Sequence, residues 1–159
     1  MPTITPSLWF DDDLEEAMRF YTGIFPNSSI EYVNRYTDAG GPGTAGRVVS
    51  AGFTLDGTRF VGINGGPVFS FTEAVSFLIE CADQAEVDYY WDALVAGGQE
   101  SQCGWLKDRF GLSWQVVPTR LYELLSDPPD QTRAAAATKA MLGMRRIVIA
   151  DLEAAVSNP

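Results

Sequence analysis

"ITPSLWFDDDLEEAMRFYTGIF", residues 4–25, places a strand of alternating side chains directly before a one-faced helix. Leu14, Ala17, Met18, Tyr21, Ile24 and Phe25 fall at i, i+3, i+4, i+7, i+10 and i+11, the spacing of a single apolar helix face. Asp11-Asp12-Asp13 stands where an acidic N-cap belongs, and Pro26-Asn27 ends the period. The pattern returns in "AVSFLIECADQAEVDYYWDALVAGG", residues 74–98. Leu8 and Trp9 match Leu78 and Ile79, while Ala17, Phe20, Tyr21 and Ile24 match Val87, Tyr90, Trp91 and Leu94, every pair 70 residues apart. Gly97-Gly98 closes the second helix. A strand–helix pair repeated at this distance is a duplicated module, too long for a solenoid repeat.

The segments after each helix read as strands. "SIEYVNRY" and "RVVSAGFTL" are two of them, the second with Val49, Ala51, Phe53 and Leu55 on one face. Asp56-Gly57 is a two-residue hairpin signal leading into "TRFVGI". "DRFGLSWQV" closes the second module as a hairpin turning at residues 108–111. The expected fold is α+β, two βαβββ modules in tandem succeeded by a C-terminal helical tail. Module one covers about residues 1–67, module two about 68–120 and the tail 121–159, all within one domain. Asp127-Pro128-Pro129-Asp130 breaks the tail, and Asp130 is placed to cap an alanine-rich helix. Met141, Leu142, Met144, Ile147 and Leu152 are apolar enough to pack on the body or on a second subunit.

Composition excludes several function classes. Eleven basic against 21 acidic residues give a net charge of -10, which repels nucleic acid and anionic membranes. The N-terminal residues carry neither a basic leader nor a long apolar run, so the expected location is cytoplasmic. Cys81 and Cys103 are expected as free thiols in that compartment. There is no histidine, which removes the commonest general base and the commonest metal ligand together.

The duplicated βαβββ unit, with "DLEEAMRFYTGIF" in its first helix and "DRFGLSWQV" in its last hairpin, resembles the vicinal oxygen chelate superfamily, the glyoxalase and bleomycin-resistance fold. More closely, "ITPSLWF", "AVSFLIEC", "EVDYYWDAL", "GGQESQCGWLKDRFGLSWQVVP" and the tail "AMLGMRRIVIADLEAA" are similar to the PhnB-like, 3-demethylubiquinone-9 3-methyltransferase-like family. The resemblance implies a homodimer in which each module curls its sheet around half of a pocket. In the superfamily's metalloenzymes that pocket holds a divalent metal through histidines and glutamates of the first and last strands. Here the matching positions fall near Pro6, at Ala74 and at Gln115, and "TRFVGING" offers no carboxylate. One neutral amide oxygen does not make a metal site, so neither metal nor other cofactor is expected.

Strand parity sketches the pocket. Leu8 and Phe10 belong under the first helix and leave Trp9 on the concave side; Val75, Phe77 and Ile79 face the second helix and turn Ser76 inward. Trp114 and Val116 pack toward the helix and Gln115 turns in. Asn64 closes the fourth strand, Phe69 and Phe71 cross between modules at the rim, and Cys103 and Trp105 come from the last hairpin. Such a lining suits a small aromatic or planar ligand.

Cys103 is the best candidate nucleophile, near Lys107 and Arg109 but with no histidine to act as its base, and it is expected to line the wall without reacting. "GPGTAG", residues 41–46, matches G-x-G-x-x-G but precedes the alternating "RVVSAGFTL". No helix N-terminus comes after it to receive a pyrophosphate. The expected function is metal-independent binding of a small molecule. The alternative is an enzyme of the same family, a methyltransferase-labelled transferase or an isomerase or lyase, using Cys103 or a carboxylate such as Glu100.

Overall fold

The computed structural model describes residues 1–126 and 131–158. Contacts divide the chain into two compact units, Met1–Phe71 and Thr72–Pro159. The first holds β1 (Ser7–Phe10), α1 (Leu14–Ile24), β2 (Ser29–Arg35), β3 (Val48–Leu55) and β4 (Thr58–Asn64). The second holds β5 (Ser76–Cys81), α2 (Gln84–Val95), β6 (Gln99–Glu100), β7 (Trp105–Lys107) and β8 (Ser113–Pro118). Three helices complete it, α3 (Thr119–Leu125), α4 (Gln131–Leu142) and α5 (Ile149–Ser157).

The two sheets have the same topology, β1-β4-β3-β2 and β5-β8-β7-β6. In each, the strand before the helix pairs in parallel with the last strand, Ser7 with Val61 and Ser76 with Ser113, and the other pairs are antiparallel. This is the expected tandem of βαβββ modules. The duplicated register is visible in the cores, since Ala17 and Val87, and Tyr21 and Trp91, are all fully buried. Gly62 of β4 makes room for α1, because a Cβ there would lie 2.1 Å from Leu14 Cδ1.

The helix starts are built differently in the two modules. In α2 the Asp83 carboxylate accepts from Glu86 N at 2.9 Å, and Glu86 Oε2 accepts in turn from Ala82 N at 2.7 Å, a reciprocal cap. In α1 the expected aspartate cap is absent, because Asp13 makes no side-chain cap bond. The Leu14 N–H is satisfied by Asn64 Oδ1 at 3.0 Å, from the far end of β4. Asp12 pairs with Arg47 and Glu15 with Arg19 and Arg35, so those acids are held by ion pairs.

Two turns obey their sequence signals. Asp56 and Gly57 both take left-handed backbone, φ 45° and 76°, the requirement of a type I′ hairpin between β3 and β4. Asp108 is buried and organises the β7–β8 turn: Oδ1 accepts from Phe110 N at 2.9 Å and Leu112 N at 3.1 Å, and Oδ2 from Trp114 Nε1 at 2.8 Å. "GPGTAG" lies in the β2–β3 connection, closed by Gly46 N donating to Tyr36 O at 2.9 Å, and it leads into a strand.

The tail packs on its own module. Val117, Leu121, Leu124, Ala137, Ile147, Leu152 and Val156 form one buried cluster, with Met141 and Met144 partly buried against it. Fully burying Ile147 and Leu152 contributes about 1.5–3 kcal/mol each. Leu142, expected to pack with them, is 58% exposed. Asp127, Pro128, Pro129 and the expected cap Asp130 lie outside the described residues.

Candidate ligand-binding face

The second sheet carries two side-chain rows on the face away from α2. Cross-strand partners share a face, so register assigns them. Ser76, Ser113 and Lys107 form one row across β5, β8 and β7, and Leu78, Gln115 and Trp105 form the next. Phe77, Leu106, Trp114 and Val116 alternate with these toward α2, where Leu106, Trp114 and Val116 are buried. Gln115 Nε2 donates to Ser76 Oγ at 2.8 Å, fixing the amide diagonally between the rows. Leu78 is 45% exposed, and Trp105 and Gln115 are half-buried. Lys107 pairs with Glu73 at 2.5 Å. That hydrogen bond, then a bond from Glu73's own backbone and the charge of Lys107, hold the Glu73 carboxyl below its usual range.

In the first unit Trp9 and Phe69 meet edge to face at 4.9 Å, and Trp9 Nε1 donates to Gly66 O at 2.9 Å. Gly65 lies against the indole, where a Cβ would stand 2.2 Å from Trp9 Cζ2. The structure corrects two expectations, for Asn64 and Val75. Asn64 does not face the concave side: it shares a register position with Phe10, accepts from Leu14 N and donates through Nδ2 to Val48 O at 3.3 Å. Phe69 and Phe71, expected at the rim, pack on Trp9 and Phe10 within the first unit. Val75 precedes β5 and is 63% exposed, so strand parity does not carry it under α2.

Cys103 is half-buried in the loop before β7, with left-handed backbone at φ 57°. The loop is where the tail docks. Cys103 N donates to Met144 O at 2.8 Å and Gly104 N to Arg145 O at 2.7 Å. Gly104, at φ 84°, could not carry a side chain, since a Cβ would stand 2.8 Å from Val116 O and 3.2 Å from Ile147 Cγ1. Glu100, the alternative catalytic carboxylate, is bound to Arg145 at 3.1 Å and accepts from Trp91 Nε1 at 3.3 Å. Those two hydrogen bonds, Arg145's first, hold its carboxyl below the usual range, which suits an anchor better than a base. Arg146 binds Asp88 and Asp92 of α2, and Gln84 grips the tail at both Ile147 O and Ile149 N, at 3.1 and 2.9 Å.

The apolar residues of the tail announce its packing, but its polar and backbone contacts are not legible in the sequence beyond Arg145-Arg146 and an aspartate pair, Asp88 and Asp92, spaced i, i+4. Lys107 and Arg109, close to Cys103 in sequence, have other neighbours, Glu73 and the Phe110 ring. Cys81 is fully buried, and burial, then the charges of Glu86 and Asp83, push its thiol up to about 12. A cavity of about 700 Å³ lies in the tail, lined by alanines of α4 and α5 with Lys139 and Asn158. Thr132 and Gly143 complete its lining, and it shares no residue with the Gln115 face.

The donor set of that face does not fit a divalent metal. Gln115 and Ser76 supply neutral oxygens, and among the described residues no group of three or more histidines, cysteines or acids could hold an ion. Comparison with known proteins assigns the lineage. Residues 2–117 match the profile of the 3-demethylubiquinone-9 3-methyltransferase family. The chain belongs to that family.

The family's PhnB protein from Bacillus cereus is 35% identical, with 74% of this chain covering 100% of that one at a TM-score of 0.68. Protein PA1353 from Pseudomonas aeruginosa shares the fold at 20% identity, 74% and 98% coverage and a TM-score of 0.62. The fosfomycin resistance protein FosX from Listeria monocytogenes, complexed with Mn(II) and sulfate, does so at 17% identity, 72% and 89% coverage and a TM-score of 0.50. No curated protein matches the chain. The family match ends at residue 117, so the resemblance read in "AMLGMRRIVIADLEAA" is not part of it. The tail that docks on Cys103 and Gly104 lies outside the matched region.

Proposed function

We propose that this family member binds a small planar molecule on the Leu78–Gln115–Trp105 row, without a metal. The observation that carries the reading is the half-exposed Gln115–Trp105 pair, in register, beside exposed Leu78 and with the amide held by Ser76. An indole and an aliphatic side chain offer a stacking surface, and a fixed amide gives it direction. Trp9 with Phe69 offers a second aromatic surface of the same kind in the first unit.

Methyl transfer of the Rossmann type would need a mainly parallel sheet, and each sheet here has one parallel pair. FosX is complexed with Mn(II), but the face here presents an amide and hydroxyls, so the ligand is held by stacking and hydrogen bonds. Self-association belongs to the same proposal, since Val68, Phe69 and Val75 are each more than 60% exposed and apolar, and sedimentation equilibrium reads it directly. The test of binding is titration of EDTA-treated, ¹⁵N-labelled protein with 2-naphthol. Saturable shifts of the Trp105 indole and Gln115 side-chain amide resonances are expected, with the indole shift lost in Gln115→Ala. Unmoved resonances would refute the site.

A further inference from the structure

The Ser76–Ser113–Lys107 row contains an unmet hydrogen bond. Ser113 is fully buried, and its hydroxyl has no hydrogen-bond partner in the structure. Buried hydroxyls are nearly always paired, because an unpaired one has given up water for nothing. On one side of it Ser76 accepts from Gln115 and so keeps its own proton free to donate. On the other side Lys107 carries an ammonium whose partner is the Glu73 carboxylate. Glu73 lies just before β5 with its side chain 62% exposed, so it can swing away at little cost.

We propose that this row binds the carboxylate of an aromatic or other planar acid, and that Glu73 stands in for that carboxylate until the ligand arrives. The inference rests on the function proposed above and names its ligand class. The incoming carboxylate accepts from Lys107 Nζ and from the Ser113 and Ser76 hydroxyls, while the flat body lies over Leu78 and Trp105 in the adjoining row. One ammonium and two hydroxyls match a monoanionic carboxylate; a phosphate dianion calls for more donors or a guanidinium fork. In a chain of net charge -10, an anion is drawn only to a local cation, and here that cation is guarded by an acid the ligand must displace.

Calorimetric titration of the full chain in EDTA with 2-naphthoate and its neutral analogue 2-naphthamide tests this. Naphthoate is expected to bind more tightly than naphthamide. Glu73→Gln removes the internal competitor and should tighten naphthoate about threefold, leaving naphthamide unchanged. Ser113→Ala should weaken naphthoate about fivefold. Lys107→Met should abolish the preference. Equal affinity for both probes in every variant would overturn the inference and leave the planar-ligand reading standing, as would a naphthoate preference indifferent to Glu73 and Ser113. If neither probe binds the unaltered chain, both fall.

Discussion

Removing the Asp108 carboxylate tests whether the closing hairpin holds β8, and with it Gln115, in register. In Asp108→Ala three donors lose their acceptor: Phe110 N, Leu112 N and Trp114 Nε1. Phe110 is half-exposed and its N–H can turn to water, but Leu112 and Trp114 are 2% and 3% exposed. Two buried donors left unpaired cost roughly 1–3 kcal/mol each, and recovering the desolvation of a buried carboxylate trims the total to about 2–4 kcal/mol. In a domain of this size that lowers Tm by roughly 5–12 °C. Asp108→Asn keeps one oxygen for the two backbone donors and loses only the Trp114 bond, so it should cost about half as much. Urea denaturation monitored by tryptophan fluorescence measures both. A loss below about 1 kcal/mol for the alanine variant, or equal losses for the two, would mean that the Asp108 carboxylate does not hold the hairpin.

The same contacts set the outcome of other perturbations. Ser113→Ala removes an unpaired buried hydroxyl and should raise stability by about 1 kcal/mol in the absence of ligand, read by the same denaturation. Gly104→Ala forces a side chain into left-handed backbone against Val116 O, which should cost at least about 1–3 kcal/mol and raise hydrogen exchange across residues 144–149. The carboxyls of Glu15, Asp88, Glu100 and Glu153 are held low in the folded chain by partners, led by Arg19, Gln84, Arg145 and Arg120 in turn. The unfolded chain therefore takes up protons first as pH falls. Tm should be flat from about pH 6 to 8, where no histidine titrates, and fall below about pH 5. Iodoacetamide at neutral pH should leave Cys81 unmodified and alkylate Cys103 no faster than free cysteine, as mass spectrometry would show.

The fold is legible in the sequence because duplication and local period agree. Leu8 with Leu78 and Tyr21 with Trp91 occupy the same places in two modules, so each copy checks the other. Asp56-Gly57 and the 108–111 turn announce themselves through backbone chemistry that few other residues satisfy. The site is legible where it depends on strand parity, as in Ser76, Gln115 and Trp105, which the structure brings to one face. It is not legible where partners are distant. Asn64 reads as concave because nothing local says that β4 pairs in parallel with β1 and that the amide must cap a helix fifty residues earlier. Cys103 draws notice as a thiol, whereas the structure uses its backbone N–H to hold a segment some forty residues on. Ser113 passes as an ordinary strand residue, since an unmet hydrogen bond shows only once every neighbour is placed.

On the proposed reading, the Gln115 face binds a planar ligand with no metal. The most direct measurement is the affinity for 2-naphthol in EDTA compared with that in excess Mn(II), each by calorimetric titration. The same saturable affinity is expected in both conditions. Binding that appears only with Mn(II) would contradict that reading.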